Sequence, residues 1–384
     1  MSTAHIVGAF EHPGRHLPDH TVPQIHAEVA HGALADAGLT LADVDAYYCA
    51  GDGPGFGALS MAEYIGVRPK MLDNTETGGS SYLVHVQHAA QAIADGAISV
   101  ALITLAGKPR TGGTLPGASA RPTAPESPFE SDFGLSVVSG YAMAATRHMY
   151  EFGTTSAQLA EIKVAASVHA QHNPNAFLPN VVTVEEVLES PMVADPLHRL
   201  DSCVITDGGG ALVVVSAEVA ASLGRASAEV IGAGFGFKSA SPSPIDLTYT
   251  GAVYSGPIAF AQAGVKPTDI QYASIYDSFT ITVLQTLEDL GFCAKGDGGR
   301  FVSDGALQAP HGTLPFNTDG GGLCNNHPAN RGGITKVIEA VRQVRGEAHP
   351  AVQVPNCELV LAHGTGGSLA TRHGSATLIM KRGL

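Results

Sequence analysis

Two stretches of this chain run in step without a gap: Ala33 to Gly51 reads ALADAGLTLADVDAYYCAG, and Ala259 to Asp277 reads AFAQAGVKPTDIQYASIYD. The correspondence continues on both sides. Ile6-Val-Gly-Ala-Phe resembles Val230-Ile-Gly-Ala-Gly-Phe, Gly78-Gly-Ser-Ser answers to Gly321-Gly-Leu-Cys, 98–107 answers to 358–367, and the strand at Gly210 answers to 374–380. An internal repeat constrains the fold more than any single motif, because each copy must repeat one supersecondary pattern and the copies must bury their faces together. Each half reads as strand, helix, strand, helix, strand, helix, strand, strand. In a duplicated α/β architecture of this kind two buried helices meet near a pseudo-twofold axis, and loops from both halves converge on one pocket. Catalytic groups are therefore expected from both halves, which divide as 1–228 and 229–384.

The local pattern is consistent with that division. Strands are expected at Ala4 to Phe10, Val44 to Cys49 and Ile98 to Leu105, with a helix from about Val22 to Ala37 stopped by Gly38. Alternation of this kind predicts a largely parallel, helix-covered sheet. The Gly, Pro, Thr and Ser between Gly107 and Asp132 break the rhythm and open an inserted loop domain spanning about 107–202. Within it helices are expected over Val137 to Phe152 and from Thr155 to about His172. Cys203 to Ser216 reads as two short strands around a Gly-rich bend.

Charge and cysteine usage exclude several classes. A formal charge of −14, with 15% charged residues and no basic run, argues against nucleic acid or an anionic membrane as partner. Five cysteines, odd in number and without a CxxC pair, indicate neither a disulfide frame nor a zinc site, and a reducing cytosol suits them. No apolar run reaches the roughly 18 residues needed to cross a bilayer. No metal site is expected.

The chemistry is expected around Asp73 to Gly96, DNTETGGSSYLVHVQHAAQAIADG, where a Gly-rich turn enters a small-residue helix. Gly78 and Gly79 permit close backbone approach, Ser80 or Ser81 can cap the helix, and a helix N-terminus favours negative charge. No cysteine stands between Cys49 and Cys203.

Nearly the whole chain resembles the thiolase superfamily, in the sterol carrier protein x and lipid-transfer-protein branch. The motifs that carry the resemblance are IVGAFEHPG, RHMYEFGTTSAQLAEIKVAASVHAQHNPNA, SPMVADPLHRLDSCVITDGGGALVV, YDSFTITVLQTLEDLGFC, GGGLCNNHPANRGG and HGTGGSLATRHGSATLIM. The resemblance implies a five-layered αβαβα fold, a coenzyme A thioester as substrate with no covalently bound cofactor, a homodimer, and a loop domain over the active site. Relatives of this branch often work with a small companion protein carrying a zinc ribbon and an OB-fold, which this chain lacks.

Position by position, the family's acyl-accepting cysteine falls at Ser80 or Ser81, a far weaker nucleophile unless a base activates it. The histidine of the family's Gly-His-Pro motif falls at His327, with Asn326 in place of the glycine. The segment that helps hold the oxyanion-hole water falls at Tyr276-Asp277-Ser278-Phe279, and a tyrosine there resembles the retro-aldolases of the branch. The second thiolase cysteine falls at His363, in His363-Gly-Thr-Gly-Gly367.

With both cysteines of the thiolytic pair replaced, a retro-aldol step on a β-hydroxyacyl-CoA is the leading expectation. Tyr276 or His363 would be the base and His327 would stabilise the enolate; Asn326, Asp277, Gly78, Gly79, Gly366 and Cys324 would line the substrate. An acyltransferase using Ser80, Ser81 or Cys324 is the first alternative. A non-catalytic acyl-CoA binder is the second.

Overall fold

The computed structural model describes residues 3–112, 124–130, 136–239, 244–328 and 332–383. Parts of the Gly/Pro-rich stretch expected to cover the site, and Ala329 beside the Asn-His-Pro motif, lie outside them.

The strands among these residues are β1 (Ala4–Glu11), β2 (Ala46–Tyr48), β3 (Met71–Asp73), β4 (Val100–Gly107), β5 (Met192–Ala194), β6 (Leu197–His198), β7 (Gly208–Ser216), β8 (Ala228–Lys238), β9 (Tyr272–Ile275), β10 (Leu359–Gly367) and β11 (His373–Arg382). The helices are α1 (Val22–Ala37), α2 (Ala58–Ile65), α3 (Ser81–Ala94), α4 (Ser127–Glu130), α5 (Val137–Phe152), α6 (Ser156–Ala170), α7 (Val184–Glu189), α8 (Ala217–Leu223), α9 (Ala252–Ala263), α10 (Thr280–Asp289), α11 (Gly298–Phe301) and α12 (Gly333–Arg345). Local chemistry sets many of the ends. Thr21 and Gln24 form a capping box at the start of α1 and Gly38 closes it in the left-handed region, while Ser136 and Thr155 cap α5 and α6 in the same way.

One nine-stranded sheet runs in the order β3-β2-β4-β7-β1-β8-β11-β10-β9. Read from either end toward the middle, β2-β4-β7-β1 and β9-β10-β11-β8 place the repeated strands in the same sequence. The sheet is mixed and mainly antiparallel. Only β2 with β3, β2 with β4 and β9 with β10 pair in parallel. The largely parallel expectation fails because β1 lies between β7 and β8, antiparallel to both, and β11 turns straight back on β10 as a hairpin. A second correction concerns Cys203 to Ser216. One long strand, β7, begins at Gly208, and residues 203–207 before it run irregularly.

Alternation along the strands builds the layers. Ile103, Leu212 and Val214 near one end of the sheet, and Val360, Ala362 and Leu378 near the other, pack on Leu83 and Val86 of α3 and on Ile334, Val337 and Val341 of α12. Leu102, Val213 and Val215 face the other way, onto α1 and α2. Leu361 and Ile379 face α9 and α10, where α5 and α6 also pack. The sheet thus curls over two central helices with further helices outside each half, giving the five-layered αβαβα arrangement.

The central helices touch at their starts. A Cβ on Gly333 would lie 1.7 Å from the carbonyl oxygen of Gly79, so only glycine allows the approach. The repeat comparison put Gly321-Gly-Leu-Cys opposite Gly78-Gly-Ser-Ser. In the structure it is Gly333 that meets Gly79, and 321–325 form a separate wide helical turn earlier in the chain.

Candidate active site

Tyr276 follows the last residue of β9, and its N–H donates to the His363 carbonyl at 2.9 Å. That bond ties the backbone to β10 while the side chain leaves the sheet. The phenol oxygen and Nε2 of His327 share a hydrogen bond of 2.8 Å, and the two rings cross edge-on with centroids 5.4 Å apart. Both residues are buried. Burial pushes the His327 imidazole down to about 4; nearby Asp277 opposes the shift and Lys336 adds to it. The ring is therefore neutral near pH 7, and the tautomer whose Nε2 accepts the phenol proton carries its own proton on Nδ1.

The loop before α3 closes one side of this pair. A Cβ on Gly79 would lie 2.4 Å from Cε2 of Tyr276, and one on Gly78, whose φ is +70°, would lie 2.7 Å from Cα of Gly366. The structure thus brings Gly78, Gly79, Gly366, Tyr276 and His327 together, from both halves of the sequence.

Other expected residues lie nearby but are turned to different tasks. The Ser80 hydroxyl donates to the Thr77 carbonyl at 2.8 Å, and the Ser81 hydroxyl accepts from the Thr77 N–H at 2.8 Å. Neither caps α3, and neither is bonded to a histidine that could activate it. Asp277 is fully buried, pairs with Lys336 at 2.9 Å, and accepts from the N–H groups of Gly322 at 2.8 Å and Leu323 at 3.1 Å. Its bonds anchor the wide turn Gly321–Asn325. Asn326 donates to Glu11 at 2.8 Å and accepts from the Thr206 hydroxyl at 2.7 Å, so its amide faces the protein interior.

Two expected residues are placed elsewhere. The Cys324 thiol faces α6, where the buried Lys163 ammonium lies 3.1 Å from sulfur, and burial pushes the thiol up despite that charge. His363 sits on the outer face of β10. Its neighbour Gly364 faces Leu83 and Gly79, and strand alternation turns the histidine the other way. There its Nδ1 bonds Thr377 Oγ1 at 2.9 Å, which in turn bonds Ser255 of α9 at 2.9 Å. Burial and the adjacent His373 push His363 down to about 3.

Cys203, beside Asp277, has its thiol pushed up to about 12, mainly by burial and further by that carboxylate, so it is no thiolate at neutral pH. Glu11 and Thr206, which lie inside quoted motifs without being singled out, and Lys336, which lies outside them, are the polar residues sequence reasoning passed over. The one available signal was a carboxylate closing the apolar strand IVGAFE.

Among the described residues one group has metal-ligand spacing: His12, His20 and Glu28, with ligand atoms within 4.8 Å of one another. The Gly14 N–H donates to His12 Nδ1 at 3.0 Å, which leaves the ring proton on Nε2, 3.0 Å from Glu28. A metal on Nε2 needs the opposite tautomer, so the group reads as a hydrogen-bonded clasp. No helix among the described residues is long and apolar enough to cross a membrane.

A family model described as thiolase C-terminal domain-like matches residues 238–382. An acetyl-CoA acetyltransferase of Methanothermobacter thermautotrophicus is 33% identical over 97% of this chain and 98% of its own length. A steroid side-chain-cleaving aldolase of Thermomonospora curvata is 36% identical over 84% of this chain and 85% of its own. Among solved structures, an Ltp2-ChsH2(DUF35) aldolase superposes with a TM-score of 0.87 at 31% identity, covering 99% of this chain and 97% of the other. These likenesses place the chain in the thiolase superfamily, within its sterol carrier protein-like branch.

Proposed function

We propose that this protein is an aldolase-type lyase that splits β-hydroxyacyl-CoA thioesters between the α and β carbons. The observation that carries the reading is the 2.8 Å hydrogen bond between Tyr276 and a neutral His327, beside an α3 N-terminus that offers serines in place of a thiol. The aldolase names among its relatives support the same reaction class.

In the forward step the substrate's β-hydroxyl gives its proton to the Tyr276 oxygen as the phenol proton passes to His327 Nε2. The β carbon becomes a carbonyl, and the electrons of the Cα–Cβ bond move into the thioester as an enolate. The imidazolium so formed places positive charge beside that enolate, and the proton then returns through Tyr276 to Cα. The products are a shorter acyl-CoA and an aldehyde or ketone. No acyl group is transferred to the protein.

The sheet ends at β3, an edge beside exposed Leu72, Leu59, Tyr64 and Phe56, and such an edge suits pairing with a second copy in a homodimer. A companion with a zinc ribbon and OB-fold is part of the same proposal, supported by the DUF35 partner named with the solved relative.

Incubating the purified chain, alone and with such a companion, with a panel of β-hydroxyacyl-CoAs tests this directly. The expected products are the carbonyl compound and the shorter thioester in equal amounts without added free CoA. Turnover only of β-ketoacyl-CoA plus free CoA would overturn the reading.

A further inference from the structure

His327 is fixed to the rest of the protein by a one-directional string of hydrogen bonds that begins in the other half of the chain. Glu11 closes β1 and is buried; its Oε1 accepts from Arg15 Nη2 at 2.9 Å, Asn325 Nδ2 at 3.2 Å and Asn326 Nδ2 at 2.8 Å. A carboxylate paired with a guanidinium only accepts, so the Asn326 amide must turn its NH2 toward Glu11 and its oxygen away. That oxygen takes the single Thr206 hydroxyl proton at 2.7 Å. The Thr206 oxygen, its proton committed, offers a lone pair to the His327 N–H at 2.9 Å. The His327 ring in turn shares its 2.8 Å hydrogen bond with the Tyr276 hydroxyl. From Glu11 to the His327 backbone each link fixes the direction of the next, and Thr206 and Asn326 are buried.

We infer that Glu11 and Thr206 are positioning residues for the Tyr276–His327 pair, setting the backbone at His327 so that Nε2 meets the phenol. The inference deepens the retro-aldol reading and rests on it for its kinetic consequence, though not for its structural one. The string also accounts for asparagine at position 326. A glycine there could neither receive the Thr206 proton nor reach Glu11, and the His327 backbone would lose its tie to β1. Neither Glu11 nor Thr206 touches substrate in this account; both act through His327.

The test uses the full chain with Thr206→Val, Thr206→Ser and Glu11→Gln. Thr206→Val keeps the shape while removing both bonds; Thr206→Ser keeps them; Glu11→Gln lets the Asn326 amide turn over. For Thr206→Val a fall in kcat of roughly ten- to a hundredfold with KM within about twofold is expected, as a small misplacement of a reacting group produces. Thr206→Ser should recover most of the rate and Glu11→Gln should fall between the two. The ring of His327, followed by 15N-histidine NMR and assigned by its loss in His327→Ala, gives a readout independent of turnover. The native protein should show one Nδ1-protonated tautomer, and Thr206→Val a tautomer mixture. Native kcat and a native ring signal in Thr206→Val and Glu11→Gln would overturn the inference, even with a lowered melting temperature. If the native protein turned over no β-hydroxyacyl-CoA, the proposed function would fail while the NMR comparison would still decide whether the string positions the ring.

Discussion

Asp277 and Lys336 face each other at 2.9 Å, both buried, directly behind His327. Lys336 enters from the central helix α12, and Asp277 adjoins Tyr276. Removing one partner leaves the other charge buried and unpaired, which typically costs about 3–5 kcal/mol. Lys336→Met is therefore expected to lower stability by that order in urea denaturation, and adding Asp277→Asn should restore part of it. A single variant as stable as the native protein would show that the pair does not hold the site.

The contact of Gly333 with Gly79 makes a sharper steric prediction. Gly333→Ala would drive a methyl to 1.7 Å from a backbone oxygen and should prevent α3 and α12 from meeting, seen as loss of a cooperative thermal transition. Gly140 in α5 is the control. A Cβ there meets nothing within 4 Å, so Gly140→Ala should stabilise by about 0.5–1 kcal/mol through helix propensity.

Two pH effects follow from burial, with opposite bearings on stability. His327 is pushed down to about 4, and His363 and His373 to about 3, so between those values and 6.5 the unfolded chain binds more protons than the folded one. Their stability contribution is complete above 6.5 and is lost as pH falls toward 4. Glu339 is raised to about 7, by burial first and by Asp319 next, so its contribution runs the other way and is lost as pH rises from 4.5 through 7. With more histidines than raised carboxylates in these sets, chemical denaturation should show net weakening below pH 6. The proposed mechanism needs neutral His327, so it predicts that kcat/KM stays flat through 6.5 and falls only as pH nears 4, wherever the fold survives.

The alternative of acyl transfer predicts a covalent intermediate. With Ser80 and Ser81 turned onto Thr77 and Cys324 held against Lys163, intact-protein mass spectrometry after incubation with acyl-CoA should show no added acyl mass. Cys324→Ser should keep turnover within about threefold, since the residue packs against α6 away from the pair.

Much of this was legible in the sequence, and the exceptions have physical causes. The repeat foretold the matching strand orders, and the motifs named Tyr276 and His327, which the fold sets 2.8 Å apart. The sheet's direction was not legible, because alternation of strands and helices does not show that β1 threads between the two halves. His363 matched a catalytic position by motif, but the strand's period of two turned its ring outward, a distinction of one residue that a motif alone does not resolve. Glu11 and Thr206 lie inside quoted motifs but were not singled out, since their role depends on which distant side chains the fold brings within hydrogen-bonding distance.

The most direct test of the central claim is the single-turnover rate of Cα–Cβ cleavage in Tyr276→Phe, which removes one oxygen and keeps the ring against Gly79. The account predicts a fall of roughly 10²–10⁴-fold, the usual range for losing a positioned proton-transfer group, with substrate binding retained. A Tyr276→Phe enzyme that cleaves β-hydroxyacyl-CoA at the native rate would contradict it.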